Sequence, residues 1–95
     1  MFVCIMKIEL RFHVVSSIKE KRNIVNSVKN KLAAHFKLSV AEVDDIDLYN
    51  SSILGLTFVS LKKDHCITKS QKIIEFLEKN NSDVFFDYDR VVEEY

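Results

Sequence analysis

Between Phe2 and Val14 apolar residues recur at every second position: Phe2, Cys4, Met6, Ile8, Leu10, Phe12 and Val14. The odd positions read Val3, Ile5, Lys7, Glu9, Arg11 and His13. Alternation of period two predicts a strand with one buried face, here the even-numbered one. The period then changes. Ser17 with Glu20 three residues later is a capping-box pattern, in which a serine oxygen accepts a free helical N–H and the glutamate reaches back. Ile18, Val25, Val28, Leu32 and Phe36 follow on one helical face, flanked by Ile24 and Ala33. This helix is expected to end near Lys37 without a glycine cap.

A second strand is predicted from about Leu38 to Tyr49. Val43 and Ile46 have opposite parity within it, so a bulge or break is expected near Asp44 and Asp45. Asn50-Ser51-Ser52 reads as a hairpin turn, and Ile53 to Leu61 as a third strand with Leu54, Leu56 and Phe58 on one face. A second helix fits Asp64 to Lys79, with Asp64 as its cap. Ile67, Ile74 and Leu77 face inward there, beside Ile73 and Phe76. Asn80-Asn81-Ser82-Asp83 reads as a turn cluster, and Val84 to Glu94 as the last strand.

The order is βαββαβ. It predicts an α+β, ferredoxin-like single domain over 1–95: a four-stranded antiparallel sheet of order 4-1-3-2 with two helices on one face. Met6, Ile8, Leu10, Val28, Leu32, Phe58, Ile74 and Leu77 are expected in one core.

Composition narrows the function classes. The chain has 95 residues, 47% of them hydrophobic, and no apolar run near the ~20 residues of a membrane span. Lys7, Glu9, Arg11 and His13 interrupt the apolar N-terminus, so a cytoplasmic protein with reduced Cys4 and Cys66 is expected. Gly55 is the single glycine. That excludes glycine-rich phosphate loops and dinucleotide fingerprints.

Formal net charge is zero, but it is unevenly spread. The first helix from Lys19 to Lys37 carries six cations against Glu20, and the Lys62–Lys79 stretch five lysines against Asp64, Glu75 and Glu78. Glu42, Asp44, Asp45 and Asp47 make the second strand acidic, and five acids against Arg90 do the same for the tail from Asp83. A solvated helix face with acids guarding the sheet edges explains this pattern. A basic patch for RNA phosphates also explains it, through Lys19, Lys21, Arg22 and Lys29 at the start of the first helix. Lys21 falls on the apolar side of the wheel, so it is expected to pack its stem and lead its ammonium past the sheet end. Neutral net charge speaks against strong nonspecific nucleic-acid binding, and no DNA specificity is evident.

The other side of the sheet offers a second surface. Val3, Ile5, Val59, Phe85 and Val91 are apolar residues that the open face would leave uncovered, and self-association through that face is expected, with small-ligand binding there as the alternative.

Site chemistry is sparse. Gly55-Leu56-Thr57-Phe58-Val59 with Phe2 loosely echoes an RNA-recognition sheet. That arrangement would expose Cys4, Met6, Ile8, Leu10 and Phe12 together, so base stacking on the sheet is set aside. Cys4, His13, His35, His65 and Cys66 lack zinc-ligand spacing. His65 and Cys66, being adjacent, diverge on a helix and make no nucleophile–base pair. Asp45 and Asp47 share a face only if the strand is regular there. Arg11-Phe12-His13-Val14-Val15 has no glycine for an acylphosphatase-type loop. No catalytic, cofactor-binding or metal residues are assigned, and a nonenzymatic protein is expected.

Ser17-Ile18-Lys19-Glu20-Lys21-Arg22, Val40-Ala41-Glu42-Val43, Asp47-Leu48 and Leu54-Gly55 resemble the YlxP-like family, small bacterial proteins of unassigned biochemical function. The resemblance covers nearly the full chain. It implies a ferredoxin-like fold in a bacterial cytoplasmic protein. Family members are often encoded beside translation and ribosome-maturation genes, which implies a ribosome or RNA partner. It carries no catalytic residues over.

Overall fold

A computed structural model describes residues 1–81 and 83–95. Its elements run β1 (Phe2–Phe12), α1 (Ile18–Phe36), β2 (Ser39–Asp44), β3 (Ser51–Ser60), α2 (Lys63–Asn80) and β4 (Val84–Glu94). The four strands form one sheet of order β2-β3-β1-β4, and all three pairings are antiparallel. This is the predicted order counted from the other edge.

The alternation in β1 does what its period requires. Cys4, Met6, Ile8, Leu10 and Phe12 are buried under the helices, and Ile5, Lys7 and Arg11 point to the open side. Leu54, Leu56 and Phe58 of β3 line up with them, since Ile8 pairs with Leu54, Met6 with Leu56 and Cys4 with Phe58. Val25, Val28 and Leu32 of α1 and Cys66, Ile73, Ile74 and Leu77 of α2 close the core from above. All eight expected core residues are buried. Phe58 lies in this core and Phe2 packs against it, so neither ring is offered to a base on the open face.

The helix ends differ in a way the sequence only half announced. Ser17 caps α1, its Oγ accepting from the Glu20 N–H at 3.2 Å. The Glu20 carboxylate reaches back to the Ser16 N–H at 2.9 Å, one residue earlier than the usual box. Lys37 ends the helix in the left-handed region at φ 51, its N–H bonded to the Ala33 carbonyl. At α2 the expected Asp64 cap is displaced. The helix starts two residues earlier, with Lys62 as N-cap and no side-chain bond, and Asp64 lies in the first turn. The expected turn at 80–83 includes Ser82, which lies outside the described residues. Beside it, the Val84 N–H bonds the Asn81 carbonyl at 3.2 Å.

β2 is shorter than predicted. Pairing shifts between Glu42 and Asp44, and Asp45 turns left-handed at φ 59. Aspartate tolerates that conformation better than most residues. The strand therefore ends at Asp44, the connection spans 45–50, and Ser51 and Ser52 belong to β3. Val43 is the extra residue of the bulge, and it explains the single glycine. A Cβ on Gly55 would meet Val43 Cγ1 at 2.9 Å, so the valine covers the place a side chain would occupy.

Candidate functional site

The predicted basic patch does not assemble as expected. Lys19 and Arg22 are exposed on α1, and Lys29 is half-buried two turns beyond Arg22 on the same face. Lys21 is buried, with 0% exposure, and this is a correction. Its Nζ makes an ion pair with Glu42 Oε2 at 3.1 Å and donates to the carbonyls of Asp45 and Ile46. Ser52 Oγ donates to the same glutamate oxygen at 2.6 Å. An ammonium out of water costs several kcal/mol, and only such complete pairing offsets it. The left-handed turn at Asp45 places carbonyls where the ammonium arrives, so α1 is tied to the β2–β3 connection. Lys21 is a structural latch and cannot meet a phosphate. Glu42, read as an edge guard, is its counterion.

Asp45, considered for a cation, is also committed locally: its Oδ2 accepts from Ser51 Oγ at 2.7 Å. Asp47 lies beyond the end of β2. Among the described residues no group of three His, Cys, Asp or Glu side chains is placed to hold a metal.

On the open sheet face the register brings four of the five expected residues together. Val3 pairs with Val59, and Ile5 with Val91 across β1–β4. Ile5, Val59 and Val91 are 47%, 62% and 48% exposed, and Val3 is half-buried. Phe85 is also uncovered on the open face, as expected, at 50% exposure, but it lies apart from this cluster. It sits opposite Arg11, six residues and roughly 20 Å along the strand from Val91. The Arg11 guanidinium lies 5.8 Å from its ring centroid. Asp87 and Asp89 stand between Phe85 and the apolar end. The face is thus divided, largely apolar at one end, where exposed Glu93 stands opposite Val3, and charged at the other. The charged end holds a hollow of about 300 Å³ lined by Lys7, Glu9, Asp44, Asp45, Asp87 and Asp89, among others.

Cys4 and Cys66 are free and buried. Burial, reinforced by the nearby Cys66 thiol, holds the Cys4 thiol above its ordinary range, while Arg90 and Lys69 pull it back. Arg90 donates to Ser70 Oγ at 2.8 Å and joins β4 to α2. Both thiols pack in the core, and burial disfavours the nucleophilic thiolate at Cys4.

One grouping escaped the sequence. Lys37, Lys69 and Lys72 come from different elements or turns but line adjoining hollows beside Val59. The lysine-rich stretch at 62–79 was the available signal. Its convergence with the end of α1 is a tertiary fact.

Among the described residues no helix is long and apolar enough to cross a membrane. No curated protein matches the chain. Among solved structures, a dimeric ferredoxin-like protein from an uncultured marine organism is similar, with a TM-score of 0.54 and 9% identity over 100% of this chain and 98% of that one. At this identity the similarity shows the fold alone, and it agrees with the βαββαβ sheet described above. The family model described as "Protein of unknown function (DUF503)" matches residues 3–90, nearly the whole sheet and both helices, and the chain belongs to that family.

Proposed function

We propose that this protein is a nonenzymatic interaction module that pairs with a second copy of itself through the apolar end of its open sheet face. The observation that carries this reading is the contiguous exposure of Ile5, Val59 and Val91 around half-buried Val3. Apolar residues scattered singly on a surface need no explanation, but neighbours in register form a patch that water disfavours. Acids on both edge strands, Asp44 on β2 and Asp87 and Asp89 on β4, oppose strand-to-strand addition. They leave face-to-face packing as the way to cover the patch. A protein sharing the fold is described as dimeric, which supports pairing in this fold class. The wording of 17–22 and 40–43 also supports a place among the YlxP-like proteins within the family. An RNA contact through the start of α1 keeps only Lys19, Arg22 and Lys29 and is the weaker reading.

Sedimentation over a concentration series tests the proposal. The wild-type protein is expected to sediment as a dimer, and Ile5→Asp to shift it toward monomer with unchanged circular dichroism. A wild-type protein that stays monomeric at high concentration would overturn it.

A further inference from the structure

The chain is electrically neutral but polar along its strands. At the end where β1 finishes, Glu9, Asp44, Asp45, Asp87 and Asp89 gather on the open face with Lys7. At the opposite end two hollows adjoin. One, of about 520 Å³, is lined by Ala33, Lys37, Leu38, Ser39 and Lys69 among others, and the second, of about 420 Å³, by Phe36, Ser60, His65, Thr68 and Lys72 among others. Val59 and Lys69 line both, so the two make one groove running from the end of α1 to the first turns of α2. Neither lining includes a carboxylate. Lys62 and Lys63, both exposed, extend the positive charge at the α2 entry. Acids near this end are Asp64, in the first turn of α2, exposed Glu75 three residues after Lys72, and Glu93 and Glu94 on the far edge strand, paired across β1 from Val3 and Phe2.

An aromatic group adjoins the groove through Phe36. Phe36 lines it, and exposed His35 stacks on Phe76 at 4.7 Å between centroids, with Phe36 edge-on to both. Lys69 Nζ stands 4.5 Å from the Phe58 centroid at the groove floor. No carboxylate pairs with these lysines among the described ion pairs.

We propose that this groove binds a stretch of single-stranded nucleic acid, with Lys37, Lys69 and Lys72 on successive phosphates and the Phe36–His35–Phe76 group offering a face to a base. An extended, carboxylate-free, lysine-lined groove suits a polyanionic strand better than a compact ion. Adjacent aromatic rings favour bases over the side chains of an acidic peptide. The site is separate from the start of α1 and independent of self-association, although Val59 borders both surfaces.

Fluorescence anisotropy with labelled oligouridine of about 20 nucleotides, longer than the ~4–16 nucleotides a small single-strand surface covers, reads the binding. Wild-type protein is expected to bind, with affinity falling steeply between about 50 and 200 mM salt. Lys69→Gln with Lys72→Gln should weaken binding at least about fivefold and reduce the log–log salt slope by about 1.4, or 0.7 per lost phosphate contact. Lys72→Glu alone, at an exposed position, should weaken it in the same direction if the double variant folds poorly. Lys19→Glu with Arg22→Glu should leave it unchanged, and so should Ile5→Asp, which reports on self-association separately. Absence of oligouridine binding at low salt, equal loss in the Lys19/Arg22 variant, or equally tight binding of a polyglutamate peptide would each overturn the proposal.

Discussion

The start of α1 and the groove between the end of α1 and the start of α2 are both lysine-rich regions beside a helix start, yet they are opposite in kind. At the start of α1 the local chemistry closes on itself. Ser17 caps the helix, Glu20 binds the Ser16 N–H, and Lys21 is buried against Glu42 and two carbonyls. At the start of α2 no side chain caps the helix, Lys62 and Lys63 are exposed there, and Lys72 is exposed further along the helix. Net charge per segment ranks the first helix higher, six cations against Glu20 compared with five lysines against Asp64, Glu75 and Glu78. Asking where each ammonium ends reverses the ranking, because a cation committed to a buried partner is unavailable to a ligand.

The sharpest way to break this contrast is Lys21→Ala. Removing one member of a buried pair leaves Glu42 and the Asp45 and Ile46 carbonyls without their cation, and a loss of about 3–5 kcal/mol is expected in urea denaturation. Lys72→Ala, at an exposed position, should change stability by less than about 0.5 kcal/mol. Equal effects at the two sites would mean that Lys21 is not a latch.

A smaller effect tests the caps. Ser17→Ala should cost about 1 kcal/mol, whereas Lys62→Ser, which installs the missing cap at α2, should stabilise the protein by a similar amount. Thermal melts of the two variants should therefore move in opposite directions.

The smallest effect concerns Cys4, which lies within reach of Lys69 beneath the groove. Its thiol stays protonated in the folded state above the ordinary value of 9.0. Above that value the unfolded chain releases the proton and the folded chain holds it. Stability should be intact below 9.0 and should fall as pH rises toward the raised native value. Lys69→Gln removes a cation that favours the thiolate, so it should deepen this alkaline loss slightly. Urea midpoints measured from about pH 8 to about pH 10 would show it.

Legibility followed the range of the interaction. The buried face of β1, the Ser17 cap, the break near Asp44–Asp45 and the core residues from Met6 to Leu77 were readable, since periodicity and capping act over a few residues. The Asp64 cap was misplaced by two residues, because nothing local distinguishes the first turn of α2 from its cap. Phe85 was grouped with Val91 by parity alone. Parity assigns a face of the sheet but not a position along it, and the β1–β4 register separates the two residues by about 20 Å.

Of the segments most specific to the family resemblance, 17–22 read as a phosphate patch and 40–43 as an edge guard, and both contribute to one structural contact. Lys21 of the 17–22 segment meets Glu42 of the 40–43 segment, and Gly55 makes room for Val43. The elements, their order, the buried faces and hence the ferredoxin-like sheet follow from spacing within single segments. The tertiary structure alone decided which lysine is buried, which apolar residues share a patch and where the free cations converge. Those outcomes depend on register and on contacts between segments more than twenty residues apart, and the pattern within either segment does not encode them.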